Sequence, residues 1–145
     1  MVGFLFWGAL ATRLLAKGIQ PLSVFKWGGG IFLIIQFLLV LNIQTGLAVI
    51  WACYGFFGTV GSLAYVVLSR GFPAELGGRV NTALNLLVFL GAFAIQWGVG
   101  AIVNYWPSAY RDGYSPFGYS VAFGFFLFLQ LPGYLWICLK KHKGS

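Results

Sequence analysis

Val80-Asn81-Thr82-Ala83-Leu84-Asn85-Leu86-Leu87, continuing through Gly91 and Gln96 to Trp106, is a run of residues without a single charged side chain. Crossing a bilayer takes about 20 apolar residues, because a helix rises 1.5 Å per residue against a hydrocarbon core of about 30 Å. The run is therefore read as a transmembrane helix. Three further stretches qualify by the same measure: Trp27 to Thr45, Gly46 to Ser69 and Phe117 to Leu139. The chain has 145 residues, of which 60% are apolar and 8% are Asp, Glu, Lys or Arg. A soluble domain of this size cannot bury so much apolar surface. The fold class expected is all-α, a polytopic transmembrane helix bundle with four full membrane helices and a truncated first one. The short opening segment, Met1 to Thr12, spans only about 18 Å as a helix. It is expected to be the end of a crossing helix whose beginning lies upstream.

The charges set the topology. Arg13, Lys17 and Lys26 fall between the first and second segments, Arg70 and Arg79 bracket the third loop, and Lys140, Lys141 and Lys143 follow the last helix. Counting helices puts all of these on one side and leaves Arg111, beside Asp112, on the other. The positive-inside rule then makes the basic side cytoplasmic, with His142 and the C-terminus, in a cytoplasmic (inner) membrane. The loops around Thr45 and from Pro107 to Pro116 face outward. Asn104-Tyr105-Trp106-Pro107, with Tyr110, Tyr114 and Phe117, reads as an interfacial aromatic belt. Pro132-Gly133 is expected to kink the last helix.

Several functions are disfavoured. The net charge of +7 sits at helix ends and presents no basic face to phosphates, so no nucleic acid is expected as a partner. Enzyme chemistry is not expected: the only His is in the tail, and the two carboxylates, Glu75 and Asp112, fall on opposite sides of the membrane. Gly28-Gly29-Gly30 is followed by no Gly-Lys-Ser/Thr and is read as packing at a helix start, not as a phosphate loop. Cys53 and Cys138 lie on different helices and form neither a disulfide nor a metal site. No cofactor is implied.

Two loops carry specific sequence. The first reads Gly8-Ala9-Leu10-Ala11-Thr12-Arg13-Leu14-Leu15-Ala16-Lys17-Gly18-Ile19. It resembles the loop signature of the major facilitator superfamily, roughly G-x-L-A-D-R-x-x-R-[RK]-G, with Thr12 in place of the acidic residue and Ala16 in place of a basic one. The second reads Arg70-Gly71-Phe72-Pro73-Ala74-Glu75-Leu76-Gly77-Gly78-Arg79-Val80-Asn81 and resembles that family's loop between its tenth and eleventh helices. The resemblance aligns Met1–Thr12 with the end of helix eight and the four full segments with helices nine to twelve. It implies an MFS-type fold and a C-terminal fragment of a secondary transporter, which moves a small solute by alternating access between two bundles. The implied partners are the lipid bilayer, the missing N-terminal bundle, a small-molecule solute, and a coupling proton or other ion. No charged residue lies at membrane depth here, so a titrating group would belong to the missing part. The alternative is a complete small membrane protein acting as a scaffold or assembly partner.

The candidate site residues follow from helix faces. At about 100° per residue, Asn81, Asn85, Ala92 and Gln96 share one face. Gln96, near the midplane, either lines a transport cavity or bonds a neighbouring helix; Asn81 and Asn85 line the cytoplasmic mouth of that cavity, bond a neighbouring helix, or simply sit at the membrane interface. Tyr54, Gly58, Gly61, Ser62, Tyr65 and Ser69 share a face of the preceding helix, which makes Tyr54 and Tyr65 candidate substrate contacts or packing residues. Arg13, Glu75 and Arg79 are cytoplasmic gate-loop candidates. Glu75 and Arg79, four apart, are read as a latch or as a solvated surface pair. Gln36 is expected to hold helices together. The last helix, rich in Phe, reads as lipid-facing.

Overall fold

The computed structural model describes residues 1–106 and 113–140. Every element among them is helical. Helix α1 spans Val2–Ala16, α2 Pro21–Val40, α3 Leu47–Gly58, α4 Leu63–Ser69, α5 Gly77–Val103 and α6 Pro116–Leu139. A 3-10 turn, Thr59–Ser62, joins α3 to α4, and a second, Ala74–Leu76, leads into α5. Four units are long and apolar enough to cross a membrane: Pro21–Val40, Leu47–Ser69, Ala74–Val103 and Pro116–Leu139. Arg111, Asp112 and Tyr110 of the loop expected to face outward, with Lys141, His142 and Lys143 of the tail, lie outside the described residues.

The first connection is shorter than the charges imply. Helix α1 continues through Arg13 to Ala16, and α2 starts at Pro21, so Lys26 is helical. Gly18, at φ +82°, ends α1 in the left-handed region, and the Ile19 amide returns to the Leu14 carbonyl at 2.9 Å. Gln20 is extended before Pro21, whose fixed φ and missing N–H suit the first helical position. Arg13 and Lys26 stay helical because long cationic side chains reach water from within a helix end.

Helix α2 is the hub. It packs against α1, α3, α4 and α6, while α5 packs against α4 and α6. Between helices this uniformly apolar, closeness of fit rather than a hydrophobic gradient distinguishes one packing from another. The triple glycine of α2 shows how. A Cβ at Gly28 would lie 2.6 Å from Val60 and 3.0 Å from the Trp7 ring, and one at Gly30 would lie 2.5 Å from the Tyr134 hydroxyl. Three elements therefore close on α2 where it has no side chains. Trp7, Ala11, Val24, Val60 and Leu63 are buried together there.

Helix α6 is not simply lipid-facing. It is α2's most extensive neighbour and also packs along α5. Ala122 is fully buried, Gly118 sits on the Val103 backbone, and Phe126 covers Gly98 of α5. The Phe-rich composition suggested lipid, but the small residues between the aromatics are what admit neighbours. Helix α6 runs unbroken through Pro132.

Consecutive spans run antiparallel. Leu22, Leu68 and Lys140 line one groove, so the start of α2 and the ends of α4 and α6 share one end of the bundle. The Lys26 ammonium donates to the Cys138 carbonyl there, at 3.5 Å. Arg13, Lys17, Lys26, Arg70, Arg79 and Lys140 all belong to this end.

Candidate functional site

Helix α4 and the first half of α5 are joined by polar rungs. The Tyr65 hydroxyl donates to Asn85 Oδ1, and the Ser69 hydroxyl donates to Asn81 Oδ1 at 3.0 Å. Tyr65 and Ser69 are four apart on α4, as are Asn81 and Asn85 on α5. Residues at that spacing stand one above the other on a helix, so two antiparallel helices meet in two successive rungs. Both asparagines spend their carbonyl oxygens on the rungs. Their Nδ2 groups make no hydrogen bond among the described residues, and both residues are exposed.

The stripe continues to Gln96, also exposed. Its counterpart across an extended α4 would be near Tyr54, but the two do not meet. The 3-10 turn at Thr59–Ser62 advances about 120° per residue where an α-helix advances about 100°. Four such residues rotate α3 relative to α4 by roughly 80°. Tyr54 consequently stacks on Phe32 of α2, with centroids 4.9 Å apart, and sits edge-on to Phe123 of α6. Tyr65 faces α5 instead. The single face that a continuous helix would give Tyr54, Gly58, Tyr65 and Ser69 is thus split in two. The turn itself is held by side chains: the Phe56 carbonyl accepts from the Trp7 indole N–H at 3.2 Å and from the Thr59 hydroxyl at 2.7 Å.

Tyr65, Asn85 and Asn81 are therefore brought together, while Tyr54 and Gln96 are apart from them and from each other. The gate-loop candidates are separate again. Arg13 lies in the last turn of α1, Glu75 in the 3-10 turn before α5, and Arg79 in α5's first turn. All three are exposed, and no ion pair joins Glu75 to Arg79 among the described residues.

Most of the α5 surface is left exposed by the described residues. Of its 27 residues only Val103 is buried. Phe89, Phe93 and Trp97, spaced by four, form a stripe that is 70–74% exposed beside the polar face. Gln36, in contrast, is wholly buried, and its Nε2 donates to the Phe123 carbonyl at 3.1 Å. Cys53 and Cys138 are free thiols. Comparison with protein-family models, with curated proteins and with solved structures finds no match to this chain.

Proposed function

We propose that this chain is the C-terminal part of a secondary transporter of the major facilitator type, carrying a small solute across the cytoplasmic membrane by alternating access. The observation that carries the reading is the exposed polar stripe of α5, of which only Asn81 and Asn85 have a partner, on α4. Asn81, Asn85 and Gln96 are exposed along a helix long and apolar enough to cross a bilayer. Carboxamides facing lipid forfeit hydrogen bonds at a cost of several kcal/mol by some scales, so a polar stripe at that depth calls for a water-filled cavity or another protein surface. A transport pathway between two bundles supplies both. The two resemblant loops and the gathering of basic residues at one end support the same reading.

In this mechanism the Tyr65–Asn85 and Ser69–Asn81 rungs brace α5 near the cytoplasmic mouth. The unspent Nδ2 groups and Gln96 offer donors and acceptors to a polar solute. Glu75 and Arg79 sit at the gate loop as separate charges. The bundle that α5 rocks against is the N-terminal half.

Cysteine scanning of α5 in a background lacking Cys53 and Cys138 tests the reading in the parent transporter. Asn81→Cys, Asn85→Cys and Gln96→Cys should react with a membrane-impermeant maleimide and be protected by transported solute. Phe89→Cys and Phe93→Cys, on the neighbouring stripe, should react less. Equal protection of all five from the reagent would remove the cavity. The 145-residue chain alone should give no uptake in vesicles; saturable uptake by it would overturn the two-bundle assignment.

A further inference from the structure

We infer that the groove between α2, α4 and α6 is a binding site for one anionic phospholipid, its acyl chain lying along the groove and its headgroup at Lys140. Two adjoining hollows make the groove, and Phe25 and Ile137 line both. The deeper hollow, of about 360 Å³, runs over Gly29, Gly61, Gly133 and Tyr134. The outer one, of about 280 Å³, runs between Ala64 and Trp136 to Lys140.

Length, chemistry and charge select the occupant. Along α6 the lining runs from Leu129 to Lys140, which is about 16 Å of helix. That matches half of a hydrocarbon core of about 30 Å, the depth of one leaflet. The lining is apolar for this length. The Tyr134 hydroxyl is already committed to the Lys26 carbonyl at 2.8 Å, leaving Gln130, at the deep end, as the polar exception.

The mouth is cationic. The Lys140 ammonium stands 4.9 Å from the Trp136 ring centroid, at the rim of the groove. Lys26 and Arg70 belong to the same end, and Glu75 is the one carboxylate side chain among the described residues. Glu75 lies in the turn before α5, and no hydrogen bond or ion pair among the described residues ties it to the groove. Basic pockets between transmembrane helices hold anionic headgroups in this way, each nearby Lys or Arg adding attraction at the membrane surface. The inference rests on membrane insertion and not on the transport reading.

The test is native mass spectrometry of the full chain released from micelles holding equal amounts of phosphatidylglycerol and phosphatidylcholine with identical chains. The expected result is one retained phosphatidylglycerol at several-fold excess over phosphatidylcholine. Lys140→Gln should cut that excess several-fold while Lys26 and Arg70 hold the remainder, and Lys140→Arg should keep it whole. Gly61→Leu fills the groove at a position where a Cβ meets nothing within 4 Å, and should remove both adducts. Parity in the unaltered protein, or an excess that Lys140→Gln leaves undiminished, overturns the site. Should Lys140→Gln not fold, the unaltered protein and the Gly61→Leu variant decide alone: parity in the first or retained adducts in the second overturns it. Alkaline extraction of membranes, run beside it, separates this failure from failure to insert: a protein washed off by carbonate is not membrane-spanning at all.

Discussion

The Gln36 side chain of α2 donates to the Phe123 carbonyl of α6 at 3.1 Å, and Gln36 is completely enclosed. Its own Oε1 has no partner among the described residues. The amide therefore gains one hydrogen bond and leaves one acceptor unmade, so its net electrostatic contribution is small and its volume matters more. Gln36→Leu should change stability by less than about 1 kcal/mol, because it removes the bond and the orphan oxygen together. Gln36→Ala should cost about 2–4 kcal/mol through the cavity it opens at the hub. Unfolding in mixed micelles, followed by circular dichroism, measures both, and a Leu variant as damaged as the Ala variant would contradict the account.

The glycines of α2 predict a contrast with those of α5. Gly28→Leu should destabilise the fold by about 1–3 kcal/mol, since its side chain meets Val60 and the Trp7 ring on arrival. Gly91→Leu, where a Cβ meets nothing within 4 Å, should be neutral or gain up to about 1 kcal/mol from helix propensity. The same unfolding assay, on the chain by itself, distinguishes them.

The 3-10 turn depends on Trp7. Replacing Trp7 with Phe keeps a ring among Phe6, Phe56 and Phe57 and deletes the indole donor to the Phe56 carbonyl. The cost should be about 0.5–1.5 kcal/mol, against about 3–5 kcal/mol for Trp7→Ala. If the two variants lose equal stability, the hydrogen bond and not the ring holds α1 in place.

Across the α4–α5 seam, Tyr65→Phe and Asn85→Leu should be coupled. A double-mutant cycle should give an interaction energy near 0.6 kcal/mol and no more than about 1.7. Ser69→Ala combined with Asn85→Leu, drawn from different rungs, should be closer to additive. A zero coupling for Tyr65 with Asn85 would mean that the rung forms no bond in the membrane.

Several features were legible in the residues themselves. The four spans, their order and the sorting of Arg13, Lys26, Arg70 and Lys140 to one end follow from apolar length and charge position, which are properties of the chain read in one dimension. The pairing of Asn85 with a tyrosine was half legible, because the i, i+4 faces of α4 and α5 can be drawn from the sequence. Nothing in Thr59-Val60-Gly61-Ser62 marks a 3-10 turn, however, so the rotation that sends Tyr54 to Phe32 and Tyr65 to Asn85 was not.

Sequence alone determined that these residues form membrane-length helices with α5 polar along one edge. Hydrogen bonding within each helix and the cost of a free backbone in lipid require no knowledge of neighbours. The tertiary structure decided which helix is the hub, that Gly28 and Gly30 receive Trp7 and Tyr134, and that α6 is a packing helix. Those outcomes depend on which small residue meets which large one across an interface. Among helices so uniformly apolar, that complementarity of shape, with few bonds such as that of Gln36, is what selects one arrangement among many of similar hydrophobicity.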